Sequence, residues 1–140
     1  MNINLQQLLS GNDEVQQRTM LTNILNGLFA GEISVEDLFS PAYKQSSDGN
    51  TLDFIGFTNH LVYLRSHVSN VEFDVLNVCI CEDRLAERHI ATITHHDGQV
   101  SRLEVYVFMR LQHQKIASLD EITRVISGKE NDKELASAIS

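Results

Sequence analysis

The feature that most constrains the fold is a change in hydrophobic period near Asn70. Before this residue apolar side chains recur every three or four positions, and after it they alternate or run together among β-branched and aromatic residues. The first spacing is typical of amphipathic helices and the second of strands. The chain is therefore predicted to fold as an α+β protein, with its helices first and its sheet second.

Three N-terminal helices are predicted. The best marked one covers the apolar positions of residues 21–29, starts after the capping sequence Asn12-Asp13-Glu14 and ends at Gly31. A short one begins at the capping box Ser34-Val35-Glu36-Asp37 and is stopped by Ser40-Pro41. The third is capped by Thr51 or Asp53, ends near Ser69 and carries the apolar residues Phe54, Phe57, Leu61, Leu64 and Val68.

Four strands are predicted after Asn70, over residues 71–81, 85–94, 103–111 and 116–126. Asp97-Gly98 is a hairpin signal, residues 112–114 would close a second hairpin, and residues 43–45 could form a short extra strand. An antiparallel meander follows from these turns. Because residues 105–109 are apolar on both faces, we expect helices on one face of the sheet and a partner subunit on the other.

Length and charge narrow the classes of partner. The 140 residues suit a single domain, with a core over about residues 13–126 and a polar tail over 127–140 that has a weak helical pattern at 135–139. The net charge of −8 opposes binding to nucleic acids and anionic membranes. The longest apolar run, 105–109, is far shorter than the ~20 residues that span a bilayer, and residues 1–7 show no secretory signal. A cytoplasmic protein is expected.

Metal and cofactor sites have little support in the sequence. The side chains of Cys79 and Cys81 project from the same face of a predicted strand, where a disulfide between them would be strained. We interpret them as two small buried residues. His95 and His96 lack partners at ligand spacing and are interpreted as exposed loop residues. Phosphate-loop, serine-hydrolase and zinc-protease motifs are absent from the sequence. We therefore expect no metal and no cofactor.

A series of local motifs runs through residues 15–135: Pro41-Ala42-Tyr43-Lys44-Gln45, Asp48-Gly49, Phe57-Thr58-Asn59-His60, Leu64-Arg65, Glu87-Arg88-His89, Lys115-Ile116, Asp120-Glu121-Ile122-Thr123-Arg124, and Gly128-Lys129-Glu130-Asn131-Asp132 with Leu135. In their order and spacing these motifs resemble a SnoaL-like protein of the nuclear transport factor 2-like superfamily. The resemblance covers nearly the whole chain.

The resemblance implies a cone in which a curved antiparallel sheet wraps around a long helix. It also implies a homodimer formed through the outer sheet faces, and a pocket for a small apolar molecule at the wide end of each cone. Members include polyketide cyclases, ketosteroid isomerases, dehydratases and limonene-type epoxide hydrolases, and many others have no demonstrated activity. The position of a site is thus implied, whereas its chemistry has to be argued from the residues.

Glu121 is the first candidate catalytic residue. Counted from Lys115-Ile116, it matches the position of a catalytic carboxylate in epoxide hydrolases and cyclases of the superfamily. On the predicted strand it shares a face with Ala117 and Leu119, so burial would raise its pKa toward the range suited to proton transfer. The alternative is a partly exposed acid in an ion pair with a nearby arginine.

His60 and Tyr43 are candidate partners of that acid. His60 lies one turn after Phe57, where the family pattern has a histidine, and could move a proton or orient a substrate carbonyl. Tyr43, near the end of the second predicted helix, could donate a hydrogen bond to a developing oxyanion. The alternative for both residues is a structural role in the core.

Arg88 and His89 are adjacent on one strand and must face opposite ways. Arg88 falls where epoxide hydrolases of the superfamily have the arginine of an Arg-x-Asp motif, but the second position here is Ile90. Arg88 could hold Glu121 or Glu104 ionised. If the alternation of the strand is shifted by one residue, His89 faces the pocket instead of Arg88. A structural ion pair or a dimer contact is the alternative for both.

The next strand has one plainly apolar face and one mixed face that would suit a pocket wall or a partly exposed dimer surface. The mixed face carries Glu104, Tyr106, Phe108 and Arg110. The complete set of predicted substrate-binding residues is Phe39, Phe57, Leu64, His89, Ile90, Glu104, Tyr106 and Leu119.

The preferred hypothesis is binding of a small apolar molecule, with cofactor-free isomerisation, cyclisation or dehydration of a carbonyl compound. Glu121 would exchange the proton, His60 and Tyr43 would orient the substrate or stabilise an oxyanion, and Arg88 would tune the charge. The alternative is a non-catalytic dimeric module that binds a ligand or a protein. An enclosed pocket with converging polar groups would favour an enzyme, whereas solid packing of Phe39, Phe57 and Leu119 would favour the module.

Overall fold

The computed structural model describes residues 3–136, apart from the side chains of residues 130 and 136. These residues form four α-helices, six strands and a final 3₁₀ helix, here called the tail helix. Their bounds are α1 Leu5–Ser10, α2 Glu14–Ala30, α3 Val35–Leu38, β1 Phe39–Ser47, β2 Asn50–Asp53, α4 Phe54–His67, β3 Asn70–Cys81, β4 Arg84–Thr94, β5 Val100–Gln112, β6 Lys115–Ser127 and the tail helix Glu130–Ala136.

The six strands form one sheet in the order β2-β1-β6-β5-β4-β3. The four predicted strands pair as an antiparallel meander from β3 to β6, which confirms that part of the prediction. The sheet is nevertheless mixed, because β1 pairs parallel to β6. Register shifts in β1, β3 and at both ends of the β5–β6 pairing mark bulges, and bulges bend strands and increase their twist.

The predicted helices are present, but the capping box predicted at Ser34-Val35-Glu36-Asp37 does not form, because the Ser34 side chain makes no capping hydrogen bond. Asp13 caps α2 in a reciprocal capping box with Gln16, and Gly31 ends the helix in the left-handed conformation at φ 80°. Asp53 caps α4 by accepting a hydrogen bond from Gly56 N. The sequence interpretation missed α1, which is only six residues long and buries Leu5 and Leu9 against the core.

Because strand side chains alternate, the sheet has two faces. The inner face lies under helices α2 and α4, and no helix within residues 3–136 covers the outer face. In β4 the side chains of Leu85, Glu87 and His89 are buried on the inner face, while Arg84 and Arg88 point to the outer face. A bulge in β6 puts Ile116 on the inner face, because Leu111 pairs with Ile116 but Arg110 pairs with Ser118. Ala117 is the extra residue of this bulge, so it does not take part in the alternation that Leu119 and Glu121 follow.

The outer face combines an exposed apolar patch with an ion-pair network. Tyr106, Phe108 and Ile122 are 45%, 66% and 67% exposed, and Tyr106 lies directly opposite Ile122 in the pairing of β5 with β6. On this face Glu104 accepts hydrogen bonds from Arg88 at 2.7 Å and from Arg124 at 2.9 Å. These two arginines lower the pKa of Glu104.

The polar tail folds back onto the β4–β5 end of the sheet. Asp132 accepts hydrogen bonds from Ser101 Oγ and from His95 Nε2, the latter at 2.8 Å. His95 is thus half-buried and held by an acid, in contrast to the exposed loop residue that was expected, whereas His96 is exposed. The part of the predicted tail pattern at residues 137–139 lies outside the described residues.

Cys79 and Cys81 are exposed, which corrects the expectation that both are buried. They lie on the outward side of β3, the edge strand of the sheet. The bulge between Val75 and Asn77 determines which side chains in the second half of this strand face outward.

None of the helices in residues 3–136 is both long and apolar enough to cross a membrane.

Candidate active site

A cavity of about 140 Å³ lies between helices α2 and α4 and the inner face of the sheet. Most of its wall is apolar, with Leu, Ile, Val, Phe and Met side chains from every layer, and Leu135 of the tail helix joins the same wall. Five polar side chains interrupt this surface, namely Gln45, His60, Glu87, His89 and Glu121. An apolar cavity with a few convergent polar groups is typical of a small-molecule site.

Glu121 enters the cavity from β6, directly opposite Ser47 of β1. Ser47 Oγ donates a hydrogen bond of 2.6 Å to Glu121 Oε1. Loss of hydration in the apolar cavity raises the pKa of Glu121 to about 7, although the Ser47 hydrogen bond works in the opposite direction. At neutral pH this acid therefore exists in both the proton-holding and the proton-accepting form.

A chain of hydrogen bonds leads from Glu121 into the core along β1. Tyr43, Gln45 and Ser47 are buried on one side of this strand because strand side chains alternate with a period of two. The Tyr43 hydroxyl donates to Gln45 Oε1 at 2.8 Å, and Gln45 Nε2 donates to Ser47 Oγ at 2.9 Å. Burial, followed by the charges of Glu121 and Asp120, raises the pKa of Tyr43, so its hydroxyl stays a donor.

The β1–β2 turn fixes the backbone at Glu121 and two residues after it. Asp48 and Gly49 form this turn with φ of 51° and 87°, which is the conformation that the Asp-Gly sequence favours. Asp48 N donates to Glu121 O at 3.0 Å, and Asp48 Oδ1 accepts from Thr123 N at 2.9 Å. The predicted turn signal at Asp48-Gly49 thus anchors the strand that carries the acid.

Glu87 and His89 form a second polar group in the cavity. His89 Nδ1 lies 2.8 and 2.9 Å from the two carboxylate oxygens of Glu87, and both side chains are buried. Since a carboxylate accepts but cannot donate, Nδ1 carries the hydrogen in this pair and Nε2 is the nitrogen that can take up a proton. Glu87 pairs with Val107, which pairs with Glu121, so these three residues lie in one row across β4, β5 and β6.

An aromatic cluster at the α4 side of the cavity contains Phe39, Tyr43 and Phe57, with ring centroids 4.7 to 5.4 Å apart. His60 is buried one turn further along α4, and its ring centroid lies 6.1 Å from that of Phe57. Phe39, Phe57 and His60 line the cavity together with Leu64 and Leu119 of the predicted set. The aromatic rings pack against each other without filling the space beside them.

Five predicted site residues do not line the cavity: Tyr43 only contacts the lining residues Phe39 and Phe57, and the other four are on the opposite face of the sheet. Arg88, Ile90, Glu104 and Tyr106 belong to the outer face of β4 and β5, because their inward neighbours are His89, Ala91, Val105 and Val107. The hypothesis that Arg88 tunes Glu121 finds no contact in the structure, since Arg88 binds Glu104 and Asn77. His89 is the member of the Arg88-His89 pair that reaches the cavity.

The sequence interpretation missed Gln45, Ser47 and Glu87. The signal was present as a period-two polar pattern over residues 43–47 and as the Glu-x-His spacing of Glu87 and His89, which places both on one face of a strand. Among residues 3–136 no group of three or more potential metal ligands comes together.

No family model matches the chain. An uncharacterised protein of Schizosaccharomyces pombe is 31% identical over 104 residues, which are 74% of this chain and 80% of that protein. IdmH of Streptomyces antibioticus, a candidate polyketide cyclase, has a similar structure with a TM-score of 0.66 at 16% identity, covering 86% of this chain and 97% of that one. A protein of Cytophaga hutchinsonii described as nuclear transport factor 2-like and of unknown function aligns with a TM-score of 0.56 at 15% identity, covering 76% and 98% of the two chains.

Proposed function

This chain belongs to the nuclear transport factor 2-like superfamily, in one family with the fission-yeast protein, and on that premise we propose that its cavity binds a small apolar carbonyl compound and moves a proton on it through Glu121. The observation that carries the proposal is a carboxyl group with a pKa of about 7 in an apolar cavity. A general acid or base is most effective when its pKa lies near the working pH.

The proposed step begins with ionised Glu121. Its carboxylate takes a proton from the carbon beside the substrate carbonyl, the electron pair of the broken C–H bond forms the C=C bond of an enolate, and the carbonyl oxygen takes the negative charge. Return of the proton to another carbon gives an isomer, and attack of the enolate on a second carbonyl gives a ring. IdmH is a candidate polyketide cyclase, and an aldol cyclisation would start with the same proton removal.

The other polar groups have distinct proposed roles. His89, held by Glu87, would exchange a proton or a hydrogen bond with a substrate oxygen through Nε2. His60 would orient the substrate from the α4 side of the cavity. Tyr43 would act as a positioning residue, because its hydroxyl is bound to Gln45 and reaches Glu121 only through Gln45 and Ser47.

The alternative of a non-catalytic binding module has less support from the arrangement of side chains. Five polar groups converge on the cavity, and Phe39, Phe57 and Leu119 all border open space. We further propose that the functional unit is a homodimer of single-domain subunits, joined through the outer-face patch of Tyr106, Phe108 and Ile122.

Solvent deuterium exchange tests the chemistry without knowledge of the natural substrate. The protein is incubated with a neutral cyclic enone in heavy water, and loss of the protons beside the carbonyl is followed by NMR. The wild-type chain should accelerate this exchange over buffer, and Glu121→Gln should lower the acceleration by about 10²–10⁴-fold, the usual contribution of a general base.

The matched control is Asp120→Asn, which removes the neighbouring carboxylate on the opposite face of β6 and should leave most of the acceleration in place. Equal exchange by the wild-type chain and Glu121→Gln would refute the role of Glu121. Exchange no faster than in buffer across a set of enones that bind would refute the proposed chemistry.

A further inference from the structure

We infer that the cavity takes an uncharged, one-ring molecule with an oxygen function, and that it excludes multi-ring and anionic substrates. This inference rests on the proposed function, because it specifies the substrate class of the same site. Three independent features carry it: the volume of the cavity, the spacing of its two acid/base groups and the charges on its wall.

The volume of the cavity sets the first limit. A cavity of about 150 Å³ lined by Leu, Ile and Phe in an engineered protein is large enough for benzene. The present cavity, at about 140 Å³, is on the same scale and has the same kinds of apolar side chains in its wall. A single six-membered ring with small substituents fits such a volume, whereas a fused system of several rings does not.

The row of Glu87, Val107 and Glu121 sets the second limit. These residues face the cavity from β4, β5 and β6. Since neighbouring strands are ~4.8 Å apart, the backbones that carry the two acidic side chains are separated by roughly 10 Å. The space above Val107 lies between them and has the width of about one ring, with Glu121 at one edge and the Glu87–His89 pair at the other.

The aromatic cluster limits growth along the cavity. Phe39, Tyr43 and Phe57 pack with their ring centroids 4.7 to 5.4 Å apart, which leaves no slot between them for a further ring. Tyr43 is fully buried and held through its hydroxyl by Gln45, so its ring has a fixed position. A longer substrate would have to displace a packed and hydrogen-bonded wall.

The charges on the wall set the third limit. Glu87 and Glu121 line the cavity, and no Lys or Arg of the described part of the chain does so. An anionic substrate would bring a further negative charge beside the Glu87 carboxylate, in an apolar space that has no Lys or Arg in the described part of its wall, which is costly. A neutral ketone or enone offers an oxygen for hydrogen bonding and a weakly acidic C–H bond without that cost.

A size and charge series of probes tests this inference by binding alone. Cyclohexenone, a two-ring decalin enone, a four-ring steroid enone and cyclohexene carboxylate are titrated into the wild-type protein by calorimetry, with melting temperature as a second readout. We expect saturable binding of cyclohexenone, and at least about tenfold weaker binding of the other three probes. Steroid-enone or carboxylate binding as tight as that of cyclohexenone, or no saturable binding of cyclohexenone, would overturn the inference.

A cavity-filling variant locates the binding. Ala91 lines the cavity on β4, two residues after His89, and Ala91→Leu should abolish cyclohexenone binding because the added carbons occupy the space of the ring. The matched control is Ala86→Leu on the outward side of the same strand, which should leave binding unchanged. If both variants bind cyclohexenone like the wild type, the ring does not lie in this cavity and the inference fails.

The two proposals fail in different ways. Cyclohexenone binding that Ala91→Leu removes, together with deuterium exchange that does not depend on Glu121, would uphold the substrate class and refute the proton-transfer role. Exchange that depends on Glu121 for a four-ring enone as readily as for cyclohexenone would uphold the chemistry and refute the size limit.

Discussion

At the scale of single residues, the behaviour of Glu121 reflects two opposing influences. The apolar cavity favours the neutral acid, and the hydrogen bond from Ser47 favours the carboxylate. The hydrogen bonds that lead to Glu121 all run in one direction. Gln45 donates to Ser47 Oγ, and Ser47 therefore donates its own hydroxyl hydrogen to Glu121 Oε1. In the proposed mechanism the second carboxyl oxygen, Oε2, exchanges the proton with the ligand.

Removal of the Ser47 hydroxyl should raise the pKa of Glu121 above its value of about 7. A hydrogen bond to a charged group contributes about 1.5–3 kcal/mol, so an upward change of about one to two pKa units is expected for Ser47→Ala. Carbon-13 NMR of the glutamate carboxyls during a pH titration measures it. Ser46→Ala, on the other side of β1, is the control, and an unchanged or lower pKa in Ser47→Ala would contradict the prediction.

The same group should make stability depend on pH. Because the pKa of Glu121 is raised from 4.5 to about 7 in the folded protein, the folded state holds this proton more tightly than the unfolded state. The free energy of unfolding therefore falls as the pH rises through this window. Glu121→Gln stays neutral and lacks that loss. Relative to the wild type, its free energy of unfolding should therefore be higher by on the order of 3 kcal/mol above the window than below it.

Urea unfolding on both sides of the window measures this difference, and groups shared by both proteins cancel in the comparison. Glu72→Gln, which removes an exposed carboxyl on β3, is the control for a general change in charge. A stability difference between wild type and Glu121→Gln that stays constant across the window would show that Glu121 does not titrate near neutrality.

Which side chains share the cavity could be predicted only in part from the sequence. The apolar period of α4 predicted Phe57 and Leu64 on one side of the helix, and both line the cavity. The choice between Arg88 and His89 stayed open, because a period-two pattern does not say which face of a strand is inside. Ser47 was hidden for a different reason, since its importance comes from pairing with Glu121, 74 positions away.

At the scale of elements, α2 protects the open edge of the sheet. The Asn26 side chain accepts from Phe73 N at 2.8 Å and donates to Phe73 O at 3.2 Å, as a neighbouring strand would do. Thr22 Oγ1 accepts from Val75 N at 2.9 Å. Since β3 is an edge strand, these bonds satisfy backbone groups that would otherwise be open to pairing with another chain.

Loss of the Asn26 amide should weaken this protection. Asn26→Ala leaves the N–H and C=O groups of Phe73 without partners in a partly buried place, so a loss of about 1–3 kcal/mol in the free energy of unfolding is expected, with faster aggregation on heating. Denaturant unfolding and light scattering measure the two effects. Asn23→Ala on the exposed side of α2 is the control, and a similar loss in both variants would refute a specific role for Asn26.

The sequence predicted the long elements better than the short ones. Helices α2 and α4 and strands β3 to β6 have periodic patterns of more than ten residues, and all six are present. The six residues of α1 and the four of β2 are too short to show a period. The parallel pairing of β1 with β6 depends on contacts between distant segments, which local patterns do not record.

At the scale of the whole molecule, the outer face of the sheet supports the proposal of a dimer. Phe108→Lys places a charge in the patch of Tyr106, Phe108 and Ile122 and should convert a dimer to a monomer, because each charge would be buried against its symmetry mate. Sedimentation velocity measures the change. Ile55→Lys, at an equally exposed position on α4, is the control. A wild-type chain that sediments as a monomer would refute the dimer.

The place of β6 in the sheet also has a consequence for biosynthesis. This strand is the last of the six along the chain, yet it lies between β1 and β5 and carries the acid that Ser47 binds. A nascent chain on the ribosome therefore pairs β1 with β2 alone, and has no acid for Ser47, until β6 emerges. The cavity is complete only once β6 has emerged, so any stabilisation by a ligand in the cell starts at that point and leaves shorter nascent chains unprotected.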